Sequence, residues 1–353
     1  MRAGVALIAI VFAAALQGQE RVPAGETRDS LADTGLAGVE TFTPPVRIES
    51  AAPRYPTRYA RSGVEGWVTL SYMVDPAGKP YDIAVVDSSD DELFETAAVT
   101  ALSDFRYQPA MLGDRPIDAG LVTKVTFEIS GQTGARASFR KRYRRVSGHI
   151  EKRNRAAAEA GMAKLAAMDR TMYEEAFYAL VQYNFAGAWG TPAEQLAALT
   201  RASFIDRSRG FLPDGQLVTV LRAKLGLQLM LNHHARALVT IEQLRERSPA
   251  PEDAERYTAF EARIFELRDA PELRMEVAGT VGRSNQTVHH LLRNTFQLED
   301  VQGDIAELRL HCDKAFVGFI YQEELAYTVN DNYRDCRVII VGNPGTTFKL
   351  VEL

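Results

Sequence analysis

Hydrophobic and polar positions alternate from Val64 to Val74, where Val64, Gly66, Val68, Leu70, Tyr72 and Val74 share one parity. That period of two predicts a half-buried strand. Asp75, Pro76, Ala77 and Gly78 supply turn residues, and Tyr81 to Asp87 resumes as a second strand, so the pair reads as a hairpin. Ser88 to Asp91 suits a helix cap. Behind it Leu93, Phe94, Ala97, Ala98, Ala101, Leu102 and Phe105 fall at spacings of three and four, which predicts a helix whose apolar stripe can lie across the sheet. Pro109, Gly113 and Pro116 predict a loop. Leu121 to Ile129 alternates again, with Leu121, Thr123, Val125, Phe127 and Ile129 on one face. Strand, strand, helix, strand describes a small α+β domain over residues 45–131.

The period changes to a helical one between Asn154 and Ala270, where Ala163, Ala166, Ala167, Met172, Ala176 and Leu180 open a series of apolar stripes. Gly187, Gly190, Pro192, Gly210, Pro213 and Pro249 divide the run into short helices. Within it, residues 221–249 resemble a degenerate tetratricopeptide unit, with Leu225 and Gly226 at its Leu-Gly step and Ala237, Ile241, Leu244 and Pro249 at the spacing of its second helix. From Pro271 the period returns to two. Leu273–Thr280, Leu291–Leu298, Ile305–Cys312, Ala315–Tyr321, Cys336–Val341 and Thr346–Val351 read as strands separated by Gly- and Asn-rich turns, predicting a small antiparallel β-sandwich over 271–353. The expected fold class is therefore multi-domain α+β.

Cys312 and Cys336 are the two cysteines, and each shares the inward parity of its predicted strand. An even pair in an exported chain predicts a disulfide, with two buried thiols as the alternative. A zinc site is not expected, because no second Cys or His cluster stands at ligand spacing. Export is suggested by Arg2 followed by the apolar run Val5–Leu16, which is shorter than the about 20 residues a spanning helix needs. Residues 1–19 read as a cleaved signal peptide and 20–44 as a flexible leader. The chain has 353 residues and a net charge of −5, but Arg136, Arg140, Lys141, Arg142, Arg144, Arg145, Lys152, Arg153 and Arg155 concentrate positive charge near 136–155. Behind a signal peptide this stretch does not meet nucleic acid. It is expected to form a solvated linker and helix face, with 132–153 as a basic linker, or else to touch an anionic lipid surface.

Tyr55, Pro56, Ala60, Gly63, Val64, Glu65 and Gly66 lead into the first strand; Asp75 with Gly78 forms the turn. Val85, Val86, Ser88 and Ser89 leave the second strand, Leu93, Ala97 and Ala98 mark the helix, and Phe105, Arg106, Tyr107, Pro109 and Ala110 follow it. In that order over 53–129 these residues resemble the C-terminal domain of TonB energy transducers, with Phe105 where that family usually has tryptophan. The resemblance implies a docking module rather than an enzyme, acting in the periplasm on an envelope protein such as an outer-membrane TonB-dependent receptor. It implies strand addition at the edge formed by Leu121, Val122, Thr123, Lys124, Val125, Thr126, Phe127, Glu128 and Ile129. The alternative is a helical-repeat scaffold of the cell envelope in which the TonB-like fold is only structural. No nucleophile elbow, zinc-protease helix, phosphate loop or dinucleotide fingerprint is present, so no catalytic residue, metal or cofactor is expected. The pairs His233-His234 and His289-His290 read as surface or partly buried histidines, since neighbours on a helix or strand diverge.

Overall fold

The structure, a computed structural model, describes residues 41–89, 91–129, 134–206, 211–247 and 250–353, without the side chains of 204–206. The expected signal peptide and the leader through residue 40 lie outside the described residues. The first part comprises β1 (Phe42–Thr43), β2 (Val46–Glu49), α1 (Thr57–Ser62), β3 (Gly66–Val74), β4 (Pro80–Ser88), α2 (Glu92–Ser103), β5 (Arg106–Gln108), β6 (Ala110–Leu112), β7 (Arg115–Ile117) and β8 (Ala119–Phe127). Its main sheet is antiparallel in the order β4-β3-β8. Gly78, at φ 78°, closes the β3–β4 turn by donating its N–H to the Asp75 carbonyl at 2.9 Å. A β-carbon there would also collide with the Tyr107 carbonyl, so the position requires glycine on two counts. Asp91 caps α2 by accepting from the Leu93 and Phe94 amides. The stripe Phe94, Ala98 and Leu102 then packs on Val68, Leu70, Val125 and Phe127 of the sheet.

Three local expectations change. The leader ends before residue 44, because Phe42–Thr43 pairs with β6 and Val46–Glu49 with β5; strands of two and four residues are too short to show a period. The loop around Gly113 is a short hairpin, β6 against β7. Most consequential is β3, predicted half-buried but buried at all nine positions. Trp67, on the parity read as solvent-facing, lies against Met172 and Ala176. Ser71, on that same parity, hydrogen-bonds to His311.

The middle part is helical: α3 (Ala137–Glu151), α4 (Arg155–Ala166), α5 (Met172–Trp189), α6 (Pro192–Asp206), α7 (Asp214–Met230), α8 (His234–Arg247) and α9 (Pro251–Arg268). The linker expected over 132–153 is mostly α3, so the basic residues form a helix face rather than a connecting segment. Phe139, Val146 and Ile150 of that helix enter the helical core, while Arg140, Lys141, Arg142, Arg144 and Arg145 remain exposed. Arg136, just before it, pairs at 2.6 Å with the fully buried Glu174, which also completes a capping box with Thr171 at the start of α5. Of the tetratricopeptide-like positions, Leu225, Ala237, Ile241 and Leu244 are buried, and Pro249 lies outside the described residues. Gly226 sits inside α7 with open space where a β-carbon would go. Gly226→Ala is therefore expected to stabilise the chain by about 0.5–1 kcal/mol, seen as a higher urea midpoint. An unchanged or lower midpoint would show that the glycine is needed for packing.

The last part holds β9 (Met275–Thr280), β10 (Gln286–His290), β11 (Thr295–Gln302), β12 (Ile305–His311), β13 (Phe316–Ile320), β14 (Tyr327–Thr328), β15 (Arg337–Gly342) and β16 (Thr347–Glu352). They form two antiparallel four-stranded sheets, β10-β15-β12-β13 and β14-β11-β16-β9. Inward residues of both, among them Leu308, Leu310, Val338 and Ile340 from one and Phe296, Leu298, Phe348 and Leu350 from the other, share one core. The strand expected from Leu291 to Leu298 is interrupted because Arg293 turns inward. Its buried guanidinium donates to the carbonyls of Leu267, Arg268, Ala270 and Leu273, satisfying acceptors left open at the end of α9.

Candidate functional site

The nine residues expected to form a docking edge fall on β8 and just past it. Val125 and Phe127 point into the core beneath α2, Leu121 packs partly against that core, and Val122 is 45% exposed. Thr123, Lys124 and Thr126 are half-buried, and so are Glu128 and Ile129 beyond the strand. The Ile129 N–H donates to the Glu65 carboxylate at 2.8 Å. Gly120 donates its N–H to the Cys312 carbonyl at 2.9 Å, away from β3. The β3–β8 register runs without a bulge, so alternation turns the N–H groups of Val122, Lys124 and Thr126 in the same outward direction.

The opposite margin of the sheet is closed. Gln286 donates to the Val85 carbonyl of β4, the Tyr81 ring meets Phe316 at 5.7 Å, and Asp82 receives both Arg309 at 2.8 Å and His311 at 2.6 Å. Burial pushes the Asp82 carboxyl up, but the His311 hydrogen bond and the charges of His311 and Arg309 outweigh it and hold the group below its ordinary value. His311 reaches on through Nδ1 to the Ser71 hydroxyl at 2.9 Å. A Ser-His-Asp line results, yet Ser71 and His311 are 0% exposed, and the ring presents Nδ1 to the serine and Nε2 to the aspartate, the reverse of the hydrolytic arrangement. Its work is to join β3 and β4 to β12. Nothing in the sequence brings Ser71, Asp82 and His311 together; Asp82 at φ 45° is visible only in the folded chain.

Cys312 and Cys336 form a disulfide. Cys312 follows β12 and Cys336 precedes β15, so the bridge ties two neighbouring strands at the point where the last part of the chain meets the start of β8.

Residues 51–129 match the family described as the Gram-negative bacterial TonB protein C-terminal. This segment is a TonB C-terminal domain. Protein TonB of Yersinia enterocolitica is 30% identical over 98 residues, which is 28% of this chain and 36% of that protein. Protein tonB2 of Pseudomonas aeruginosa is 34% identical over 83 residues, 24% of this chain and 31% of that protein. The chain thus spans about a third of the length of the curated relatives it matches. The solution structure of the Pseudomonas aeruginosa TonB C-terminal domain is 21% identical and covers 26% of this chain and 91% of that one, with a TM-score of 0.24 that adds nothing to the assignment. Among the described residues, no helix is long and apolar enough to cross a membrane. The TonB C-terminal domain here holds α1, α2 and the strands β3 to β8, and the β8 margin belongs to it.

Proposed function

We propose that this chain is a non-enzymatic periplasmic protein that docks an envelope partner by strand addition along β8, within TonB-dependent transport across the outer membrane. An outer-membrane receptor is the partner that fits the domain. The reading is supported by the contrast between the two sheet margins. Among the described residues no strand pairs with the outer side of either β4 or β8, but β4 carries side-chain contacts from Gln286, Arg309, His311 and Phe316, whereas on the outer side of β8 the Gly120 N–H meets the Cys312 carbonyl. An incoming strand would take its main-chain hydrogen bonds from outward groups such as the Val122 N–H and read the alternate side chains of Val122 and Thr126.

Val122→Pro tests it. The lost N–H points outward, so the β3–β8 ladder keeps its bonds, while an added strand loses one bond and meets the ring. With folding verified by thermal melting, capture of outer-membrane receptors by the full chain is expected to fall about tenfold or more. A folded variant that captures the same receptors as wild type excludes this edge.

One observation favours the scaffold reading. The second face of β3 is buried by α5 and by His311, so the TonB C-terminal domain also serves as a wall of a larger body. Unchanged receptor capture by Val122→Pro would make that its main role.

A further inference from the structure

A cleft of about 790 Å³ opens between β4 and helices α4, α5, α6 and α8, and none of its lining residues belongs to β8. Its volume lies in the range of small-molecule sites. One wall is apolar: Phe185 and Trp189 of α5, with ring centroids 5.1 Å apart, and Met162 of α4. The other end is cationic. Arg201 of α6 and Arg236 of α8 line it, facing Asp87 of β4. Arg201 has a second carboxylate, Glu175, at 3.6 Å. Among the described residues, no side chain hydrogen-bonds to the Arg236 guanidinium, and Asp87 is the one carboxylate that offsets its charge.

Arg337, which stands opposite His290 on β15 and β10, deepens the positive field there: it repels Arg236, and its Nε is buried without a hydrogen-bond partner. His290 is held well below its ordinary value by burial and by Arg236, so it adds no charge at neutral pH. His233, lining the cleft, is driven down to about 4 by burial and by His289 and Arg236, so it is already neutral and adds no charge at neutral pH. Burial pushes the Asp87 carboxyl up, against the pull of Arg201 and Arg236. The remaining charged groups of the lining are committed elsewhere: Arg155 to Glu159 at 2.7 Å and Glu194 to Thr191 at 2.7 Å. A half-buried arginine without a hydrogen-bonded acceptor is an expensive arrangement for stability alone. It is the arrangement expected of a site that awaits an oxyanion.

We propose that this cleft binds a small amphiphilic anion, its carboxylate or phosphate head held by Arg236 beside Arg201 and its apolar body laid against Phe185, Trp189 and Met162. The site is independent of the β8 margin, so the two readings stand or fall separately.

The test uses the full chain with phenyl phosphate and benzoate as probes, and phenol as a neutral probe of the same shape. Binding is followed by calorimetry and by tryptophan fluorescence. The two tryptophans are Trp67, which is fully buried, and Trp189, which lines the cleft, so an emission change on binding reports Trp189. Both anions, or the better of them, are expected to bind and raise the melting temperature, phenol much less. The tighter anion identifies the head group. Arg236→Gln is expected to weaken binding about tenfold or more. Ala197→Trp, at an exposed position of the cleft lining on α6, is expected to block it without disturbing the core, and keeps the question answerable if Arg236→Gln fails to fold. The proposal is overturned if neither anion binds at millimolar concentration, if phenol binds as well as the anions, or if Ala197→Trp binds like wild type.

Discussion

Asp82→Ala is expected to lower stability by about 3–5 kcal/mol, because it removes the acceptor of a buried, charged network and leaves His311 and Arg309 without it. Asp82 is 14% exposed on its side chain and His311 not at all, so water does not replace the lost partner. The TonB C-terminal domain and the last two sheets meet at this aspartate, so unfolding should also lose cooperativity, with Trp67 fluorescence changing at lower urea than in wild type. Asp82→Asn keeps an acceptor for His311 and should lose less. A loss below about 1 kcal/mol for Asp82→Ala would place the group among surface pairs that add little to stability. The pH dependence follows from the same carboxylate. Its folded value lies below its unfolded value near 4, so its contribution is complete above about pH 4 and is lost as pH falls through the folded value. Wild type should therefore lose stability on acidification in that window, and Asp82→Asn should lose less of it over the same range.

Breaking the Cys312–Cys336 bridge comes next in size. The two cysteines are 24 residues apart, and opening a loop of that length is expected to cost about 3 kcal/mol in the chain-entropy treatment. Replacing both by alanine, so that no lone thiol confuses the result, should lower the urea midpoint by that amount. Strong reductant should do the same to wild type and nothing to the variant. Equal midpoints with and without reductant in wild type would mean that the bridge adds nothing. Because the Cys312 carbonyl accepts from Gly120, the start of β8 should also gain hydrogen exchange on reduction, ahead of β3.

Much of this architecture was legible because local periods and tertiary burial agree. The β3–β4 hairpin carried its turn residues, Asp91 stood where a cap belongs, and the α2 stripe had the spacing it buries. Reading stopped where a polar residue is satisfied by a distant one. Thr69 and Ser71 made one face of β3 look wet, although both are buried, Ser71 against His311 240 residues away. Trp67 and Met73 on that same parity were the signal that the face is covered. In α3 the charges concealed the pattern: Phe139, Val146 and Ile150 keep helical spacing, but arginines surround them. The cationic cleft had no local signature at all, since Asp87, Arg201, Arg236 and Arg337 come from four separate elements. The two histidine pairs read as surface or partly buried; His234 is buried, with 8% exposure, while His233, His289 and His290 are half-buried.

The full burial of β3 sets a limit on how this molecule can be taken apart. A segment cut at residues 51 and 129 would carry the matched sequence intact, yet it would present Trp67, Met73 and their neighbours to water as an apolar patch, with Ser71 and Asp82 stripped of their partners. Such a fragment should self-associate rather than remain monomeric in solution. The boundary of the matched sequence and the boundary of independent folding differ in this chain, and the second face of its sheet behaves as an internal seam.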